Sequence, residues 1–206
     1  MAEVKVDGEE VVFEGEPPSD LGQLFDLLMG AMSERGRAVV SFRVDGVDLM
    51  SSPGESSLPE TFEKIEASTL THAEITLQLI ERVENETSSL SDELVAYSQR
   101  ILLLGWTEIF RRMDEFISKI QPIADLLDNL GPFAQTYDPP WRNAFTDLQR
   151  NQGQALEQAL ACFQIGDSAG LSDVVADSFN AVLADFRKLS DKEMKPYLRL
   201  EMKQAE

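Results

Sequence analysis

The stretches Val4-Lys5-Val6-Asp7-Gly8-Glu9-Glu10-Val11 and Phe42-Arg43-Val44-Asp45-Gly46-Val47-Asp48-Leu49 decide the reading of the first third of the chain. In each, alternating apolar and polar residues run into an Asp-Gly pair and resume beyond it. Asp-Gly supplies the positive backbone dihedrals of a two-residue type I′ turn, so each stretch predicts a tight β-hairpin. Between the two, Leu21, Leu24, Phe25, Leu28 and Met32 recur at three- and four-residue spacing. That period predicts an amphipathic helix, capped by Ser19 or Asp20 and stopped at Gly36.

Working outward, Val4 and Val6, then Val11 and Phe13, form the first strand pair, which Pro17-Pro18 ends. Ala38 to Val44 and Val47 to Leu49 form the second pair, the polar run Ser51 to Ser57 is a loop, and Phe62, Ile65 and Ala67 supply a last strand. The resulting order, two strands, a helix and three strands, resembles the ubiquitin-like β-grasp fold over residues 1–70. Small-protein modifiers and sulfur carriers of that fold end in an exposed Gly-Gly. This chain instead runs on through Glu66-Ala67-Ser68-Thr69 and ends in Gln204-Ala205-Glu206, so the resemblance implies the fold without the carrier role.

From Thr71 the apolar period changes from two to about 3.6, which sets the expected boundary: a β-grasp-like module over 1–70 and a helical bundle over 71–206. Ile80, Val83, Thr87, Leu90, Leu94, Tyr97, Ile101 and Leu104 form one long stripe. The polar run Asn85 to Asp92 is a place where it can break, because Ser and Asp compete for local backbone hydrogen bonds. Trp106, Ile109, Phe110, Met113, Phe116, Ile117 and Ile120 open a second face after Gly105. Leu130-Gly131-Pro132 reads as a helix stop, followed by an aromatic loop from Phe133 to Trp141. A further helix through Phe145, Leu148, Leu156, Leu160 and Phe163 ends at Gly166, and Asp167 or Ser168 caps another that runs through Leu171, Val174, Val175, Phe179, Val182 and Phe186. The segment Ala155 to Leu189 is similar to helical hairpins of the flagellin-chaperone type and to tetratricopeptide-type repeats, although no second copy occurs at a 34-residue period. The expected class is therefore α+β, a small β-grasp (ββαβββ-like) module followed by an antiparallel bundle of about four helices.

Charge bounds the partners. The chain of 206 residues carries 37 acids against 18 Lys and Arg, a formal net charge of −19. The acidity is spread over both halves, which argues against phosphate backbones and anionic lipid, so neither nucleic acid nor a membrane is expected. The small basic groupings, Arg111 with Arg112 and Arg187 with Lys188, Lys192 and Lys195, read as solvated helix faces or helix C-termini. The single cysteine, Cys162, lies in an apolar run and reads as an inert thiol in a reducing compartment. Neither a signal peptide nor a run of roughly 18 apolar residues is present, so the expected location is the cytoplasm. In that compartment the acceptor tripeptide Asn85-Glu86-Thr87 has no role.

Groups for catalysis are scarce. His72 is the only histidine, set in Thr71-His72-Ala73-Glu74, with no nucleophile elbow near it. One His and one Cys cannot make a zinc site of ordinary nitrogen and sulfur ligands. The Glu-x-x-His pairs of two-metal bundles are missing, as is any glycine-rich phosphate loop. Glu81, Glu84, Asp114, Glu115, Asp125 and Asp128 read as solvated faces. No catalytic residue, metal or cofactor is expected.

Surfaces remain. The stretch Gly131 to Trp141 gathers three aromatics and three prolines. Phe133, Tyr137 and Trp141 are therefore the candidate protein-docking residues, with closure of the bundle end as the competing reading. The expected function is a non-enzymatic adaptor, chaperone or assembly component that binds another protein through the helical half, with a homodimer as one possible form. The alternatives are a ligand-binding protein or enzyme with its site at the sheet-bundle junction, and a structural homo-oligomer.

Overall fold

A computed structural model describes residues 3–13, 15, 18, 20–50 and 61–205. The expected break at Pro17, the loop Ser51 to Ser57 and the last residue, Glu206, lie outside the described residues. The protein is α+β: a five-stranded mixed sheet in the N-terminal region and a long helical remainder. Compact units divide at 75/76, within the first turn of a helix, five residues beyond the change of apolar period at 70/71.

In the first unit, β1 (Glu3–Val6) and β2 (Glu9–Glu10) form one hairpin, and β3 (Arg37–Val44) and β4 (Val47–Asp48) the other. The sheet order is β2-β1-β5-β3-β4, with β5 (Lys64–Thr71) parallel to β1 and antiparallel to β3. Both Asp-Gly pairs adopt the left-handed conformation, Asp7 at φ 52° with Gly8 at 86° and Asp45 at φ 48° with Gly46 at 87°, as a type I′ turn requires. The aspartates also do something the turn signal does not foretell. Asp45 Oδ1 accepts from the Lys64 and Glu63 backbone N–H groups at 2.8 and 3.1 Å. Asp7 accepts from the Thr69 N–H at 2.7 Å, from the Thr69 hydroxyl at 2.6 Å and from Arg37 at 3.3 Å. Each turn thus pins β5, the strand most distant in sequence, to its own hairpin.

Along β3 the buried residues change parity, Val39 before a bulge and Phe42 and Val44 after it. The extra residue of a bulge shifts the two-residue alternation by one, which leaves Val40 partly exposed. The helix α1 (Leu21–Glu34) is capped by Asp20, whose Oδ1 accepts from the Gln23 N–H at 2.8 Å. It lays Leu21, Leu24, Leu28 and Met32 on Val4, Val39, Phe42, Val44, Ile65 and Ala67 to close the core.

The second unit is helical. Its entry is a capping box: the Thr71 N–H donates to Glu74 Oε2 at 2.6 Å and the Glu74 N–H to Thr71 Oγ1 at 3.1 Å, which starts α2 (His72–Glu86). The stripe from Ile80 to Leu104 is two helices, α2 and α3 (Leu90–Ile101). Thr87 Oγ1 bonds back to the Val83 carbonyl at 2.7 Å and the Thr87-Ser88-Ser89 turn separates them. Then follow α4 (Trp106–Arg111), α5 (Met113–Tyr137) and α6 (Arg142–Ile165).

The expected stop at Leu130-Gly131-Pro132 is corrected, because α5 runs through both Pro122 and Pro132 to Tyr137. A proline inside a helix removes one N–H and opens the preceding turn, a cost that tertiary contacts can offset. Here Leu126, Leu127, Leu130 and Ala134 bury one face across the proline, and Gln149 Nε2 on α6 donates to the Leu127 carbonyl at 3.1 Å. The true stop is Asp138, left-handed at φ 44°. On α6 the buried face is Phe145, Leu148, Ala155 and Ala159, whereas Leu156 and Leu160 point outward.

Gly166, at φ 72°, ends α6, and Asp167 caps the next helix through the Gly170 N–H at 2.9 Å. From there α7 (Ser168–Asp173), α8 (Asn180–Leu189) and α9 (Lys195–Ala205) run on without interruption through two π-helical segments, Val174–Phe179 and Ser190–Met194. Each π segment widens the helix by one residue per turn and rotates the buried stripe. Leu171, Val175, Phe179, Val182, Leu183, Phe186 and Met194 all remain inside. Tyr97 stacks on Phe116 at 5.8 Å between centroids and Phe116 meets Phe179 edge-on at 5.2 Å, which joins α3, α5 and the first π segment.

Candidate functional site

The candidate docking residues Phe133, Tyr137 and Trp141 come together. Phe133 and Tyr137 lie one turn apart on α5, and Trp141 sits directly before α6, across the Asp138-Pro139-Pro140 turn. Phe133 stacks parallel on Trp141 at 6.0 Å, Tyr137 tilts against Phe133 at 4.7 Å, and Trp141 meets Phe145 edge-on at 5.8 Å. Their exposure divides their roles. Trp141 is 0% exposed and its Nε1–H has no hydrogen-bond partner among the described residues, so it fills the interior at the α5–α6 turn. Tyr137 is 44% exposed and is the member of the group with surface to offer.

More exposed apolar side chains occur elsewhere in the unit. Leu102 and Leu103 occupy the turn after α3, at 59% and 85% exposure, and Phe110 on α4 is 58% exposed. Trp106 lies close by in the chain, one helical turn before Phe110 and three residues after Leu103. Its ring meets Phe163 of α6 at 5.7 Å, and a β-carbon added at Gly166 would stand 3.7 Å from it. Ile165, next to that glycine, is 78% exposed. The physical reason for the exposure is crowding: Leu102-Leu103-Leu104 is a run of three leucines at a helix end, and one helix face can bury only part of it. The run was visible in the sequence, where three adjacent leucines break the three-four spacing that accounts for the others. Arginines and acids near these residues are paired, Arg111 and Arg112 sharing Glu108 at 3.0 and 2.7 Å and Arg100 with Glu115 at 3.2 Å.

Polar groups that could do chemistry are engaged structurally. Glu84 on α2 accepts from the Ser190 hydroxyl at 2.7 Å and from Lys195 Nζ at 2.6 Å, and Lys195 also pairs with Asp191 at 2.6 Å. Burial alone would depress the Lys195 ammonium, but the two carboxylates outweigh it and hold its pKa above the ordinary value. Arg199 with Glu81, at 3.1 Å, and Arg187 with the Thr87 carbonyl, at 2.6 Å, extend this contact line along α2. Ser190 is fully buried and reaches no surface at which a substrate could stand. His72 falls inside the capping box that starts α2. Burial, followed by the Asp167 and Asp173 carboxylates, pushes the Cys162 thiol up, which keeps it protonated and a poor nucleophile. Among the described residues no group of three His, Cys, Asp or Glu side chains is placed to hold a metal ion. None of their helices is long and apolar enough to cross a membrane.

No family model matches the chain, and neither the curated proteins nor the solved structures contain a significant match to it.

Proposed function

We propose that the protein is a non-enzymatic adaptor that binds another protein through its helical half, in the cytoplasm, without nucleic acid, membrane or cofactor. The observation that carries this reading is the uncovered apolar surface of Leu102, Leu103, Phe110 and Ile165 around Trp106. Four large apolar side chains left in water around one half-buried tryptophan are what a docking surface needs and what a free monomer gains nothing from. Pairing of the nearby arginines with Glu108 and Glu115 leaves the apolar side chains to set the contact, and the rest of a chain at −19 repels acidic proteins. We read the first unit as a β-grasp, on its strand order with β1 and β5 parallel at the centre, and the second as an antiparallel bundle built on α3, α5, α6 and the 168–205 helical run.

The test is affinity purification from the native cell with the intact chain and with a Leu103→Asp, Phe110→Asp variant, followed by mass spectrometry. One partner enriched by the intact chain and lost with the variant, at equal thermal stability, is the expected result. Equal enrichment by both overturns the assignment of this surface. The same surface serves the homo-oligomer reading, and light scattering separates the two: a strict monomer at high concentration removes self-assembly.

A further inference from the structure

The first unit holds a cleft of about 620 Å³ between β2, its extension Val11 to Phe13, and α1. Its volume lies within the range of binding pockets, and its floor is apolar: Val11, Phe13, Leu27, Leu28, Ala31 and Met32. One wall is an open sheet edge. The Val11 N–H donates to the Val4 carbonyl at 2.9 Å, and Val6 is opposite Glu9, so the intervening pair Lys5 and Glu10 is the one that exchanges no hydrogen bonds. The N–H and C=O of Glu10 therefore point away from β1, as do those of Val12, which is 89% exposed. Three features coincide at this edge: main-chain donors and acceptors at two alternate residues with no partner among the described residues, an apolar cleft on the α1 side, and an outer side where Glu3, Glu10 and Glu66 surround Lys5.

We propose that this cleft binds an extended peptide segment of a partner protein, which adds to the sheet along Glu10 to Val12. The alternation of a strand fixes the chemistry of the guest. Every second residue turns toward α1 and must be apolar to enter the cleft. The residues between turn to the Glu10 side, and a basic one there is attracted by that carboxylate. A second copy of this chain is disfavoured, because pairing two such edges brings the Glu9-Glu10 acids of both copies close together, and like charges across a strand pair repel. Arg35, which has no ion pair among the described residues, lines the cleft at the end of α1 and sets its far limit with a positive charge. This site is separate from the apolar surface around Trp106, so the chain carries two recognition surfaces of different kinds.

The probe is the peptide acetyl-Lys-Val-Lys-Val-Lys-Val-Lys-amide, titrated into the full-length protein and followed by amide chemical shifts. Controls are the Glu-Val analogue and a version N-methylated at alternate residues. Saturable shifts centred on Glu10, Val12 and Ala31 are expected, with the Glu-Val analogue weaker by about tenfold or more and the N-methylated peptide silent. Val12→Pro removes one of the edge donors, and Ala31→Trp fills the cleft from the exposed face of α1; each should abolish the shifts while leaving the circular dichroism unchanged. Shifts spread over the acidic surface without saturation, an N-methylated peptide that binds as well, or variants that bind as before would each overturn the proposal.

Discussion

Glu84 is the residue whose removal the structure prices most directly. Its carboxylate accepts from the hydroxyl of fully buried Ser190 and from Lys195, whose side chain is 14% exposed. Glu84→Ala strips both interactions at once. The orphaned hydroxyl costs on the order of 1–3 kcal/mol and the lost charge-assisted bond about 1.5–3 kcal/mol. Glu84 is itself 20% exposed and Lys195 keeps Asp191, so water and the second carboxylate recover part of that. The expected net loss is about 2–3 kcal/mol, read in urea denaturation by helical circular dichroism. Glu84→Gln keeps an acceptor for Ser190 and should lose only about 1 kcal/mol. Glu84→Leu combined with Lys195→Met should regain the part of the single-mutant losses due to the charge pair, because an apolar pair leaves no buried charge behind, while the Ser190 hydroxyl stays without its acceptor. A loss under about 0.5 kcal/mol for Glu84→Ala, or additive losses in the double variant, would refute the reasoning.

Four further outcomes follow from the geometry. Trp141→Ala should lose about 3–5 kcal/mol, as expected for a fully buried tryptophan, whereas Tyr137→Ala should stay within about 0.5 kcal/mol; thermal melts of the two separate interior filling from surface display. Gly46→Val forces a β-branched residue into the left-handed region at φ 87° and should cost at least about 1–2 kcal/mol, with loss of the β3–β4 hairpin amide pattern. Gly170→Ala places a methyl against the Asp167 carboxylate and 3.1 Å from Cys162 Sγ, displacing the cap of α7, at about 1–2 kcal/mol by denaturant titration. Lys119 and then Ser89 hold the Glu93 carboxyl below its ordinary pKa, and Arg112 does the same for Glu108. A carboxyl depressed on folding stabilises fully above its unfolded pKa of about 4.3 and loses that contribution as the pH falls through the folded value, so melts below pH 4.5 should show a shallower acid loss in Glu93→Gln with Glu108→Gln than in the parent.

The N-terminal sheet was legible because its signals are local. Asp7-Gly8 and Asp45-Gly46 need only their own dihedrals to declare a turn, and the period of Leu21, Leu24, Leu28 and Met32 needs only its own helix. What those aspartates hold was not legible, since Thr69 and Lys64 are 62 and 19 residues away and no short-range pattern joins them. The capping box at Thr71-His72-Ala73-Glu74 was readable and places His72 in the first turn of α2. Helix ends and faces in the second half were harder. Pro132 looked like a stop because the compensating face of Leu127, Leu130 and Ala134 and the Gln149 bond are tertiary, and the π segments leave no mark in residue type. Hydropathy ranks Leu156 and Leu160 as interior residues, whereas α6 buries Ala155 and Ala159, small residues that hydropathy alone ranks below leucine. Of the docking candidates, the sequence brings Phe133, Tyr137 and Trp141 into one cluster but cannot say that Trp141 faces inward.

The most direct measurement of the adaptor reading is hydrogen exchange on the chain alone and with whichever partner its native cell yields. Protection should appear in residues 102–110 and 163–166, around Trp106, and nowhere else in the helical half. Protection confined to other helices, with Leu103 and Phe110 exchanging as in the free protein, would contradict it.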